Sequence, residues 1–185
     1  MARGRPSKKS HIVEAACELF TKQGYQSTSI DQVVLTAAVS KPTVYSNFPT
    51  KLVLWETALS ALTERAQEEM GQALSSQNTT ADSDFIAGWI ALWSEWIGKP
   101  ERLASYRILL GEQHKMAPST FALFAEFEAV LESTLLAWMT VFSVPNEHFF
   151  ILKAVSKEAF LTPALMNQQI MEKNKLVQHL TDFLS

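Results

Sequence analysis

Cysteine is almost missing from this chain: Cys17 is the only one in 185 residues, so no disulfide can close within it and a thiolate metal site is disfavoured. A reducing compartment suits such a composition. Long apolar runs are missing too. The longest, Phe85 to Ile97, is interrupted by Ser94 and Glu95 and is too short to span a bilayer. The early basic residues Arg3, Arg5, Lys8 and Lys9 have no apolar run behind them, so a secretory signal is not expected. The four histidines, His11, His114, His148 and His179, are scattered, without metal-ligand spacing to one another or to a carboxylate. Neither a phosphate-cradling glycine loop nor a nucleophile motif is present, and Glu126 and Glu128 lie two apart, pointing different ways on a helix. These gaps argue against an enzyme, a cofactor and a metal, and for a cytoplasmic protein without a membrane partner.

What is present is asymmetric. From Met1 to Lys51 there are seven basic and three acidic side chains, a net +4, whereas Leu52 to Ser185 holds nine basic and sixteen acidic ones, a net −7. A basic first quarter on an acidic remainder suggests a head that faces nucleic acid on a body with another task.

Helical periodicity runs through nearly the whole chain, and no stretch alternates with period two for long enough to make a strand. Ile12/Val13, Ala16/Cys17 and Leu19/Phe20 mark a first helix stopped at Gly24. Ser29 with Gln32 three residues on makes a capping box for a second, and Ser40 caps a short third through Phe48, with Pro42 in its first turn. Thr50 opens a long helix, and the polar stretch Ser75–Ser83 is the clearest loop. Further helices are expected near 84–98, 100–114, 118–142, 147–161 and 167–184. The fold class is all-α, about nine helices. It divides into an N-terminal three-helix head with a helix-turn-helix (1–50) and a C-terminal helical-bundle body (51–185).

Two short helices joined by a tight turn and packed on a preceding one form a DNA-reading unit, whose second helix enters the major groove. Lys41, Pro42, Thr43, Ser46 and Asn47 supply its polar side, while Val44 and Phe48 turn inward. Tyr45 and Lys51, with Thr28 and Ser29 at the second helix's start, are placed for phosphates, which helix N-termini attract. Arg3 and Arg5 form an arm for the neighbouring minor groove.

The run Ile12-Val13-Glu14-Ala15-Ala16-Cys17-Glu18-Leu19-Phe20, then Gly24-Tyr25, Thr28-Ser29, Ala38-Val39-Ser40-Lys41, Thr43-Val44-Tyr45, Phe48 and Lys51, resembles the opening of the TetR (tetracycline-repressor-like) family in register over roughly residues 10–55. Ala38 stands where that family usually has glycine, and Asn47 where it often has histidine or tyrosine. The resemblance implies a ligand-responsive dimeric repressor, released from a pseudo-palindromic double-stranded operator by a small effector.

In the body, Phe85, Trp89, Trp93 and Trp96 share one helical face, and Phe121, Phe124, Phe127, Leu131, Leu135, Trp138 and Phe142 another. Such aromatic volume is hard to pack without gaps. The resemblance implies a ligand cavity among the middle helices, for which Trp89, Trp93, Tyr106, Phe124, Trp138 and Met116 are candidate lining and Gln113 and Glu128 candidate anchors for an apolar or aromatic effector. Ile170, Val177, Leu180 and Leu184 form a near-heptad seam, and Phe149, Leu152 and Ser156 a stripe before it. Both fit a homodimer face, and either also fits packing inside one subunit. The alternative reading of the chain is a helical protein-binding adaptor with vestigial DNA binding.

Overall fold

Capping chemistry sets where the helices begin. In the computed structural model, which describes residues 7–77 and 84–184, ten α-helices and no strand occur among the described residues. They are α1 (Lys8–Ser27), α2 (Ile30–Thr36), α3 (Lys41–Asn47), α4 (Lys51–Ser76), α5 (Phe85–Ile97), α6 (Pro100–Glu112), α7 (Pro118–Val141), α8 (Phe149–Ser156), α9 (Thr162–Leu165) and α10 (Lys173–Leu184). The Ser7, Ser29, Ser40 and Asp84 side chains each accept from a first-turn amide, and at Ser29 the box closes because Gln32 accepts from the Ser29 amide. Thr50 Oγ1 accepts from the Val53 amide to start α4. Gly24 sits at φ 78° and breaks α1's regular winding one turn before its end, a conformation open to glycine at little cost.

The chain packs as two compact units, Met1–Glu64 with Pro100–Phe127 and Arg65–Lys99 with Glu128–Ser185, divided inside α4, between α5 and α6, and inside α7. The reason lies in α6, which is α1's most extensive packing partner. The first unit buries Ile12, Ala16, Val33, Val44, Phe48, Leu54 and Leu59. Phe20 stacks on Tyr25 and meets Trp55 edge-on, at ring centroid distances of 5.8 and 5.4 Å. Glu56 Oε1 accepts from Ser119 Oγ and Thr120 Oγ1, both at 2.7 Å, which sets a carboxylate at the amide-rich start of α7.

The second unit is built on tryptophan. Trp89 Nε1 donates to Ser156 Oγ at 2.7 Å, and Trp138 Nε1 donates to the Phe85 carbonyl at 2.9 Å. Gly88 is the notch that admits the Trp138 indole, since a Cβ there would lie 2.0 Å from the ring. Trp93 stacks on Phe160 with centroids 6.3 Å apart. Leu176 and Leu180 of α10 are wholly buried, and α10 packs on α5.

Two expected boundaries move. The helix expected over 147–161 begins as a 3₁₀ turn (Asn146–His148), runs as α8, loosens into a π-helical turn (Lys157–Leu161) and continues as α9. The last helix starts at Lys173, six residues later than expected. Pro163 explains both. It has no amide to offer Ala159 four residues earlier, and the Ala159 carbonyl accepts from Met171 N at 3.2 Å instead. Asn167, at φ 54°, turns the chain back so that Met171 can reach it. No helix among the described residues is long and apolar enough to cross a membrane.

Candidate nucleic-acid interface

The exposed surface of α2 and α3 follows from what each helix must bury. Val33 of α2 and Val44 and Phe48 around α3 are at most 1% exposed. Helical spacing then leaves Lys41, Pro42, Tyr45, Ser46 and Asn47 on the solvent side, with Thr43 half-buried. Tyr45 keeps 45% of its surface exposed. Ser40 Oγ shares a 2.7 Å hydrogen bond with Thr43 Oγ1. Ser46 Oγ and Asn47 Nδ2 both donate to the Thr43 carbonyl, at 3.0 and 2.8 Å. The turn between α2 and α3 carries Ala38 at φ 51°, in the left-handed region. Alanine bears a cost of about 1–2 kcal/mol there.

Charge on this face is checked locally. Lys41 Nζ lies 2.7 Å from Asp31 Oδ1, an exposed pair joining α3 to α2. That hydrogen bond, and then the carboxylate's charge, raise the Lys41 pKa above its ordinary value. Sequence reasoning missed Asp31, since nothing in a linear pattern shows that residues ten apart on two helices meet.

Two expected phosphate contacts turn inward. Thr28 is 2% exposed, and its hydroxyl donates to the Gly24 carbonyl at 2.7 Å, closing the α1 break. Its side chain therefore serves the corner, a correction to its reading as a DNA contact. Lys51 Nζ donates to the carbonyls of Tyr25 (2.9 Å) and Thr28 (3.0 Å), approaches that of Gln26 (3.5 Å), and stands 4.4 Å from the Tyr25 ring centroid. Burial, and then the nearby Lys115 charge, lower its pKa. Ser29 stays exposed at the N-cap of α2. Arg3 and Arg5 lie outside the described residues.

The proposed ligand residues fall in both units. Tyr106 and Phe124 meet edge-on at 5.1 Å in the first, while Gln113 is exposed on a 3₁₀ turn and Met116 half-buried after it. Exposure removes Gln113 as a buried anchor. Trp89, Trp93 and Trp138 are buried in the second, with Glu128 half-buried. Trp89 and Trp138 use their N–H groups within the protein, whereas the buried Trp93 Nε1 has no hydrogen-bond partner among the described residues. That orphan donor carries no sequence signal.

The expected dimer stripe is partly spent inside the chain. Leu152 and Ser156 are fully buried, and Leu180 is 1% exposed, so none can serve a partner's surface in this fold. The stripe faces the tryptophans because Ser156 is Trp89's acceptor. Phe149, Val177 and Leu184 are half-buried, and Ile170 is exposed in the connection before α10. Apolar surface lies open instead at Phe150, Ile151, Met171 and Phe183. Phe183 packs edge-on against His148, which joins the end of α10 to the turn before α8.

This arrangement has relatives. Residues 12–58 match the profile of the bacterial regulatory proteins of the tetR family. The HTH-type transcriptional activator FasR of Mycolicibacterium smegmatis is 32% identical over 118 residues, which are 64% of this chain and 52% of that protein. The chain thus spans about half the length of that relative. A protein of Mesorhizobium loti assigned to the TetR-family transcriptional regulators superposes with a TM-score of 0.74 at 16% identity, over 96% of this chain and 93% of its own. A protein of Saccharomonospora viridis, assigned as a transcriptional regulator and solved in complex with choline, gives 0.70 at 18% identity over 95% and 94%. The capped α2–α3 pair thus lies inside the segment that is similar to the tetR family of bacterial regulatory proteins.

Proposed function

We propose that this chain is a dimeric DNA-binding repressor that occupies a pseudo-palindromic operator and leaves it when a small effector binds the body. One observation carries the DNA reading. The seven-residue α3 is held from behind by Val44 and Phe48 and presents Lys41, Tyr45, Ser46 and Asn47 to solvent. A narrow helix with donors and acceptors on its open face suits the major groove, and its capped N-terminus suits phosphate.

The effector reading is supported by the second unit's aromatic core and by Trp93. An indole N–H buried without an acceptor costs about 1–3 kcal/mol, which a ligand oxygen would recover. An apolar or aromatic molecule bearing one acceptor fits that requirement. The choline held by the Saccharomonospora viridis protein is a small ligand in a chain of similar fold.

Selection of operators from a random duplex library with purified protein, followed by binding at rising salt, tests the proposal. An inverted repeat should emerge, and Tyr45→Ala and Lys41→Ala should weaken its binding by about 1–3 kcal/mol each. Weak, sequence-blind binding would overturn the operator reading. A reporter placed behind the recovered operator then reads the sign of control. Repression is expected, and activation would align the chain with its FasR relative.

A further inference from the structure

We propose that Lys51 is a positioning residue that fixes the start of α2 against the start of α4, supporting DNA binding from inside the domain without touching phosphate. The inference rests on the DNA-binding reading and deepens it, because the register of the sequence assigns Lys51 to the DNA itself.

An ammonium has three N–H donors and no acceptor. Those of Lys51 are directed at the carbonyls of Tyr25 and Thr28, with Gln26 at the limit of reach. These carbonyls belong to the stretch after the left-handed Gly24, where helix geometry leaves acceptors without amide partners. The Tyr25 ring adds a cation–π contact from one side. A phosphate contact would therefore require Lys51 to surrender these two hydrogen bonds.

What the clamp holds is the corner from which α2 departs. Thr28, whose carbonyl Lys51 binds, precedes Ser29, the N-cap of α2. The same corner is braced by Gln23 Nε2 donating to Gln32 Oε1 at 3.1 Å, and that oxygen also accepts from the Ser29 amide at 2.7 Å. Lys51 is itself the first residue of α4. One ammonium thus ties the end of α1, the start of α2 and the start of α4. The free α2 amides and the exposed Ser29 are then held at a fixed height relative to α3.

Counterion release separates the two roles. Loss of a phosphate contact lowers the slope of log affinity against log salt by about 0.9. Loss of a positioning contact lowers affinity and leaves the slope unchanged. Operator binding by fluorescence anisotropy across a salt series, on wild type, Lys51→Ala and Lys51→Arg, makes the comparison. Amide hydrogen exchange without DNA, and circular dichroism at the assay temperature, run beside it. Lys51→Ala should bind about tenfold or more weakly at every salt with the wild-type slope, and its Ser29–Gln32 amides should exchange faster. Lys51→Arg should also lose affinity, because a planar guanidinium does not fill a cup of carbonyls shaped round an ammonium, although it serves phosphate well. This arm holds even where the alanine variant fails to fold. A slope reduced by about one, wild-type binding by the arginine variant, or unchanged exchange at the corner would each overturn the proposal. A wild-type protein with no salt-dependent duplex binding would overturn the DNA reading instead, and the exchange arm would still test the clamp.

Discussion

At the scale of single residues, the turn between α2 and α3 carries a strain that its neighbours tolerate. Ala38 occupies a left-handed backbone at φ 51°, and its Cβ is the cause of the cost. Glycine would remove that cost and lose part of the gain to the greater freedom of the unfolded chain. Ala38→Gly should therefore stabilise by about 0.5–1 kcal/mol, seen as a rise of about 1–4 °C in thermal midpoint. Ala38 is legible in the sequence, because it stands where the TetR family that residues 10–55 resemble usually has glycine. The partners of Thr28 and Lys51 are hidden for the opposite reason. The two residue types suit phosphate, and only the three-dimensional corner after Gly24 supplies the carbonyls that take their donors. Trp93's orphan N–H is equally invisible in a sequence, since it depends on where every other acceptor goes.

Among the helices, local chemistry was more legible than tertiary placement. The capping box of Ser29 and Gln32, the Ser40 cap and the inward turn of Val44 and Phe48 all follow from spacing and residue type, and the structure contains each. The seam of α10 was half readable: an amphipathic stripe says that a face is covered, not by whom. Leu176 and Leu180 are covered by the chain itself. Pairing between α2 and α3 brings a further consequence. Asp31 holds Lys41 at 2.7 Å, so phosphate must compete with a carboxylate for that ammonium. Asp31→Asn frees the lysine and removes a repulsive charge beside the DNA face. Binding to unrelated duplex should strengthen several-fold, with the operator gaining less, so that specificity falls. Competition titrations against random DNA at fixed salt read this, and equal gains on both duplexes would show that Asp31 carries no discrimination.

For the molecule as a whole, apolar residues left uncovered by the chain's own packing bear on assembly. Phe150 of α8 is 75% exposed, and Ile151, Met171 and Phe183 also lie open. These are the residues with which we expect a second copy to associate, in place of Leu152, Ser156 and Leu180. Phe150→Asp should shift the protein toward monomer in sedimentation equilibrium with helicity unchanged by circular dichroism. A dimer that persists would move the interface elsewhere. Half-sites on the operator would remain readable by each head singly, but affinity for the full palindrome should fall toward that for one half.

The placement of α6 against α1 carries a lesson for anyone who would recombine such proteins. A graft made at residue 50, where the sequence offers a break between helices, would separate α1 from the helix on which it packs most extensively. The foreign head would arrive without its own counterpart, and the host's α6 would meet a surface it was never shaped for. The transplantable module is discontinuous. It comprises the chain up to Glu64 together with Pro100–Phe127, and a chimera that exchanges both pieces is the one expected to stay folded.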